Sequence, residues 1–335
     1  MRKSFIVAGL AATALASAAG AQESPKPASP ATVAAQREAA ASLPPDGTRD
    51  ADFAARGFLA TRTEPLIRDA DGQPVWNLDA YAFVDGEAPP SVHPSLWRHM
   101  RYLKRHGLFE VADGIWQVRG FDLSNMTVIR GETGWILIDA LTTKEVAAAA
   151  LELVNDTLGE RPVSAVIYSH SHADHFGGVR GVISAGDIAA GRVEVIAPEH
   201  FMEEASSENV LAGGAMQRRA AYQFGAGLVP GDAGQMGSGI GMAVSRGTIT
   251  LVEPTDIIRE TGETRRIDGV ELEFQIVSGS EAPSELNVYV APQRTFLAAE
   301  IATCTMHNIL TPRGAKVRDT RAWARFLDEA VTDYA

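Results

Sequence analysis

Three of the chain's eight histidines stand within six residues, together with an aspartate, in Ser169-His170-Ser171-His172-Ala173-Asp174-His175-Phe176-Gly177-Gly178. Neutral imidazole and carboxylate are ligands that zinc and similar divalent ions prefer. His170 and His172 are two apart and point the same way from an extended segment. Asp174 and His175 are adjacent and diverge, so they cannot easily serve the ion that the first pair would hold. The spacing therefore points to two ions side by side, roughly 3.5–4 Å apart, whose chemistry is to lower the pKa of a bound water toward neutrality.

The surrounding pattern says how such residues are positioned. The apolar run Val163-Ser164-Ala165-Val166-Ile167-Tyr168 reads as a buried strand. Gly177-Gly178 permits a sharp turn after it. The histidines thus sit at a strand's end, where α/β sheets place ligands. Strands are also expected over 115–119, 126–130, 134–139, 193–197, 249–252, 271–277 and 295–300. Helices are expected over 96–108, 143–158 and 321–334, the last with Trp323, Phe326 and Leu327 on one face. Residues 203–224 read as a helix interrupted by Gly213-Gly214. This order gives an α/β layered sandwich. Asp139 closes one strand, a position suited either to orienting a metal ligand or to capping the strand. The glycine-rich stretch 225–241 lacks a lysine and Ser/Thr at P-loop spacing and reads instead as a mobile loop over the site. His99 and His106 are expected to pack rather than ligate. Cys304, the single cysteine, excludes an intrachain disulfide and reads as a small core residue.

The ends and the composition set further bounds. Residues 1–21 carry Arg2 and Lys3, an apolar run too short to span a bilayer, and Ala19-Gly20-Ala21, which together read as a signal peptide cleaved before Gln22. The expected location is periplasmic or secreted, with no membrane span in the mature chain. Residues 22–44 read as a flexible leader, 45–113 as an N-terminal arm and helix packed on the domain, and 114–335 as the catalytic domain. A formal charge of −12 over 335 residues, with no basic stripe, argues against nucleic acid as a partner. An anionic substrate would have to be held by local positive groups.

The histidine-aspartate motif resembles the signature of the metallo-β-lactamase superfamily, which implies an αββα sandwich. Further stretches resemble the linear (primary) alkylsulfatases, the dodecyl sulfate hydrolases. They are Asn77-Leu78-Asp79-Ala80-Tyr81-Ala82-Phe83, Pro94-Ser95-Leu96-Trp97-Arg98, His106-Gly107-Leu108-Phe109-Glu110, Gln117-Val118-Arg119-Gly120-Phe121-Asp122 and Thr311-Pro312-Arg313-Gly314-Ala315-Lys316-Val317-Arg318-Asp319. The resemblance covers residue 45 onward. It implies hydrolysis of alkyl sulfates by two Zn2+ ions. Glu281 would complete the site of His170 and His172, and Glu300 would bridge to the ion held by Asp174 and His175. Glu285 stands close enough to Glu281 to be mistaken for it. Asn308, Arg313 and Arg318 would bind the sulfate, because an anion needs a guanidinium fork or several neutral donors. Thr127 and Gln235 would add contacts. His307 could support the site or merely turn the chain. The family also has a last histidine on the second metal, a helical dimerisation domain that makes a homodimer, and a sterol-carrier-like domain. None lies within these 335 residues, so a truncated family member is expected. The alternatives are another hydrolase of the superfamily, a β-lactamase or phosphodiesterase, or an inactive remnant.

Overall fold

Apolar residues alternate with period two along the central strands, so one segment feeds two different cores. Ile129, Ile136, Ile138 and Ile167 point to one side, and Val128, Leu137 and Val166 to the other. The computed structural model describes residues 26–45, 47–305 and 307–334; the expected signal peptide, residues 1–21, lies outside them. An eight-stranded sheet runs in the order Phe58–Ala60, Gly107–Ala112, Ile115–Arg119, Met126–Arg130, Trp135–Ile138, Val163–Ile167, Glu194–Pro198, Asp256–Ile258. Its first five strands are antiparallel neighbours. From Trp135–Ile138 onward the pairing is parallel. A second sheet is an antiparallel meander of Thr264–Ile267, Val270–Ile276, Leu286–Val290 and Thr295–Leu297.

The isoleucine face of the large sheet packs on Leu272, Phe274, Leu286, Val288 and Val290 of the meander. Helix Lys144–Leu158 covers the opposite face through Val146, Ala150, Leu153 and Val154. Helix Thr320–Tyr334 covers the outer face of the meander: Trp323 and Phe326 pack with Val277 and Ile301, and Gln275 donates to the Phe326 carbonyl at 3.1 Å. The layers are therefore α/β/β/α, the sandwich expected from the sequence. No helix among the described residues is long and apolar enough to cross a membrane.

Several local expectations give way. Within the expected flexible leader, Pro30–Ser42 is a helix. Ser29 caps it by accepting from the Thr32 amide, Pro30 stands in its first turn, and alanine dominates its body. None of its residues is fully buried, but it lies along helix Pro94–Leu103, so the cap and alanine propensity are helped by that contact. The expected boundary at 114 divides the large sheet, because Phe58–Ala60 and Gly107–Ala112 are its first two strands. Residues 249–252 form no strand: the Thr250 amide and hydroxyl both donate to the Gly177 carbonyl at 2.7 Å, tethering this segment to the histidine loop. The break in the 203–224 helix is a π turn, Ser207–Leu211, and the glycine pair opens the helix Gly213–Gln223 that follows. Cys304 is exposed, on a turn outside the core.

Gly178 carries the backbone away from the histidine motif beneath helix Lys144–Leu158. A Cβ there would lie 2.0 Å from the Ala140 carbonyl oxygen and 2.6 Å from the Ala147 Cβ. Backbone atoms cannot swing aside as a side-chain tip can. Gly178→Ala should destabilise the fold by about 1–3 kcal/mol in urea unfolding. A change below ~0.5 kcal/mol, the size of an ordinary surface substitution, would show that the turn relaxes freely.

Candidate metal centre

The two chemistry-bearing loops meet because their flanking strands end together. The Leu286 amide donates to the Ser169 carbonyl at 2.8 Å, and His170 forms an isolated bridge with Glu285. This stitch sets the 277–285 loop against the histidine motif. Within that loop the Glu285 carboxylate accepts from the Glu281 and Ala282 amides at 3.0 Å and from Ser280 Oγ at 2.9 Å. Glu285 is thereby spent on shaping the turn, which leaves Glu281 free to face the histidines. Glu300 arrives from the end of strand Thr295–Leu297 through a turn in which Ala299 has φ +43°.

Two groups of donor atoms result: His170, His172, Glu281 and Glu300, and Asp174, His175 and Glu300. His170 Nε2 lies 3.1 Å from His172 Nδ1, 3.3 Å from Glu281 Oε2 and 3.6 Å from Glu300 Oε2. His175 Nε2 lies 3.4 Å from Asp174 Oδ2 and 3.3 Å from Glu300 Oε2. Glu300 thus stands between the groups, and the His170/His172 and Asp174/His175 pairs of the motif fall into different ones. The donors suit divalent metal ions: Glu281 Oε2 and His175 Nε2 are buried and aimed into the groups, yet neither makes a hydrogen bond. Buried polar atoms without partners are rare, and a cation would satisfy both. Asp139, with φ +62°, accepts from the Ser169 amide and hydroxyl at 2.8 Å and lies 2.7 Å from His175 Nδ1. It orients the imidazole so that Nε2 faces the donor group.

Burial, followed by the neighbouring His175 and His172, holds His170 well below the usual imidazole range. Burial and then Arg313 bring His172 down to about 4. Both are therefore neutral, the form that ligates. Burial alone would lower His175, but the Asp139 and Asp174 carboxylates outweigh it and hold it well above the ordinary value. Burial and then Glu300 push Glu281 up from 4.5 to about 8. Burial would also raise Glu300, but its close approach to His175 and His307 holds it well below the ordinary range.

The centre opens into a cavity of about 700 Å³. Its walls include Leu123, Phe176, Met216, Phe224 and Leu251, and Asn308, Arg313 and Arg318 also line it. Arg313 Nη1 lies 3.3 Å from Glu208. Arg318 is buried and donates to the Glu281 carbonyl at 2.7 Å, to the Glu281 carboxylate, and to the Asn308 carbonyl at 2.6 Å. It braces a ligand, so Arg313 is the arginine better placed to receive an anion. Two expected contacts are not brought here. Gln235 is buried in the 225–241 segment, accepting from the Tyr81 hydroxyl and donating to the Met242 carbonyl at 3.1 Å. It pins that segment to the arm, and neither it nor Thr127 lines the cavity. The Thr127 hydroxyl instead accepts from Gln117 within the sheet at 3.1 Å. His99 and His106 pack, bonded to the Gly239 carbonyl and the Thr61 hydroxyl. Sequence reasoning missed Glu208, whose Oε2 lies 3.5 Å from His172 Nε2; it sits in a segment that read only as helix. It left His307 open, and His307 Nε2 lies 3.4 Å from Glu300 Oε1.

An αββα sandwich with paired His/carboxylate groups at the strand ends defines a metallo-β-lactamase-type fold. Residues 119–279 match the metallo-beta-lactamase superfamily model. The chain is 47% identical over 313 residues to a linear primary-alkylsulfatase of Pseudomonas sp., covering 93% of this chain and 46% of that protein. It is 46% identical over 302 residues to the alkyl/aryl-sulfatase BDS1 of Saccharomyces cerevisiae, covering 90% and 47%. The solved structure of the stereoselective inverting sec-alkylsulfatase Pisa1 from Pseudomonas sp. superposes with a TM-score of 0.90 at 46% identity, covering 93% of this chain and 49% of that one. The chain belongs to the alkylsulfatase family of the metallo-β-lactamase superfamily. It spans about half the length of the relatives it matches.

Two outcomes follow for metal uptake. Asp139→Asn removes the charge that orients His175 and should weaken zinc binding about 10- to 100-fold in competition with a chromophoric chelator. Unchanged affinity would show that His175 needs no such partner. The second concerns pH. Glu281 must lose its proton to ligate, and its pKa in the folded metal-free chain lies above its unfolded value of 4.5, at about 8. Its ionisation therefore lowers the stability of the metal-free chain as pH rises from 4.5 toward 8, while metal binding tightens over the same window. The same chelator competition should show zinc affinity climbing from about pH 6 upward as Glu281 and His175 give up their protons; a flat profile would show that neither has to titrate in order to ligate.

Proposed function

We propose that this chain hydrolyses alkyl sulfates, primary esters such as dodecyl sulfate among them, to alcohol and sulfate in a reaction dependent on two Zn2+ ions. The observation that carries the reading is two donor groups sharing Glu300 at the floor of a largely apolar-walled cavity with Arg313 beside them, in a chain 47% identical to a linear primary-alkylsulfatase. His170, His172, Glu281 and Glu300 would hold one ion, and Asp174, His175 and Glu300 the other. When bound, the ions supply Lewis acidity that makes water a nucleophile near neutral pH.

The remaining work falls to the chain's own side chains. Arg313, with Asn308 beside it, would hold the sulfate group and stabilise charge that builds on it. Arg318 holds Glu281 in place through its guanidinium. Phe176, Met216, Phe224 and Leu251 offer the alkyl tail an apolar wall, from which it displaces water. A secondary ester is the second reading, favoured by 46% identity to an (R)-specific secondary-alkylsulfatase over 92% of this chain. The signal-like residues 1–21 support export to the periplasm or beyond.

The test is sulfate release by the purified, zinc-supplemented chain from dodecyl sulfate and from the two enantiomers of 2-octyl sulfate, with and without chelator. Chelator-sensitive release from the primary ester is expected. Release from neither substrate class by a chain that holds two zinc ions would sink the reading. Arg313→Ala should raise KM about tenfold or more, the loss of one charge-assisted hydrogen bond, with metal stoichiometry unchanged.

A further inference from the structure

Glu208 is a buried carboxylate that the proposed reaction has not used. It stands in the π turn Ser207–Leu211, between the helices Phe201–Ser206 and Gly213–Gln223. Such turns interrupt α-helices mostly where a side chain must be aimed. Its Oε2 lies 3.5 Å from His172 Nε2 and 3.3 Å from Arg313 Nη1, while Oε1 is buried without a hydrogen bond. Arg313 Nη2 lies 3.2 Å from the same His172 Nε2.

The two nitrogens of His172 have separate tasks. Nδ1 faces the donor group, 3.1 Å from His170 Nε2 and 2.8 Å from Glu281 Oε2. A neutral imidazole that offers the Nδ1 lone pair to a cation carries its proton on Nε2. That N–H needs an acceptor, and Arg313 has only donors to offer. As the side chains stand, Arg313 Nη2 donates to Nε2 and Glu208 lies 3.5 Å away without a hydrogen bond to it; once a cation takes the Nδ1 lone pair and the proton moves to Nε2, Glu208 is the one of the two that can accept it. We infer that Glu208 is a positioning residue: it accepts the Nε2 proton of His172, so fixing the tautomer that presents Nδ1 to a metal ion, and it holds Arg313 beside the centre at the same time. With Nε2 committed to Glu208, the Nη2 hydrogens of Arg313 are left for an acceptor in the cavity. The His172 half of this inference needs only the metal centre; the Arg313 half rests on the proposed function.

Two measurements test it. The first is the tautomer of His172 in the zinc-loaded parent, read from 15N-edited NMR of the imidazole. Nε2–H is expected, and Nδ1–H overturns the inference without any variant. The second is zinc affinity by competition with a chromophoric chelator. Glu208→Ala should weaken the tightest zinc about 10- to 100-fold. Glu208→Gln should restore most of that affinity, because its amide oxygen still accepts. Arg313→Ala should leave zinc affinity within about threefold of the parent, since the arginine donates nothing a loaded His172 can use. If Glu208→Ala loses thermal stability yet holds zinc as tightly as the parent, Glu208 is merely structural. If Arg313→Ala weakens zinc as much as Glu208→Ala does, the carboxylate acts through the arginine and the inference fails. A parent that takes up no zinc sinks the metal centre itself, which separates that failure from this one.

Discussion

Too many acids are buried in one place for the chain to tolerate without compensation. Asp139, Glu208, Glu281 and Glu285 are buried, and Asp174 and Glu300 nearly so, around three imidazoles. Burying an ionised carboxylate without a partner costs several kcal/mol or shifts its pKa until it neutralises. Each acid is answered differently. Glu285 takes backbone amides, Asp139 takes Ser169 and His175, and Glu281 takes Arg318 on one oxygen. The other Glu281 oxygen and His175 Nε2 are left unpartnered, one in each donor group, and one oxygen each of Glu208 and Glu285 is left so as well. Cations in the two groups would satisfy the first two. Metal binding and folding are then linked, since the ions remove a cost that the folded chain otherwise bears.

Distances within the centre are set by register. In the parallel pair, Ile138 faces Ile167, so the residue that follows each strand, Asp139 or Tyr168, emerges at the same edge. Asp139 can therefore reach Ser169 and His175 without a long loop. In the meander, Val288 pairs with Leu297, so the chain before Leu286 and the chain after Leu297 meet at one end of an antiparallel pair. Glu281 and Glu300 lie on those two extensions. The Leu286-to-Ser169 hydrogen bond then fixes one sheet's edge against the other's. A one-residue slip in either sheet would turn alternate side chains to the opposite face and scatter the ligands.

This explains what could and could not be read from the sequence. His170, His172, Asp174 and His175 announce themselves because one loop carries all four, and local spacing is visible in a string of letters. Several central strands follow from apolar periodicity, but Gly107–Ala112 and Leu286–Val290 were not read from it, and the αββα layering came from the resemblance. Glu281 and Glu300 carry no such local mark; resemblance supplied them, and the meander register makes physical sense of the choice of Glu281 over Glu285. Glu208 was hidden because its role depends on a π turn, a change of helical pitch with no spacing signature. Gln235 looked available as a polar residue in a glycine-rich loop, yet Tyr81, far away in sequence, claims it. The helix Pro30–Ser42 was missed because composition rich in Ala and Pro reads as disorder until Ser29 and Pro30 are recognised as a helix start.

For a chain of net charge −12 to bind the proposed anion, the problem must be solved at short range. At physiological ionic strength, fields from exposed acids fade within about 8 Å, so the overall charge neither steers nor strongly repels a ligand already at the cavity mouth. What the ligand meets there is local. Arg313 presents a guanidinium at the wall, and two divalent ions would add four positive charges just beneath it, reversing the sign of a floor built from carboxylates. The acids that make the metal-free centre hostile to an anion are the same ones that, once loaded, make it attractive. On the proposed reading, an amphiphilic anion would meet that positive floor and the apolar side chains Phe176, Met216, Phe224 and Leu251 within one cavity, so that head and tail are both satisfied.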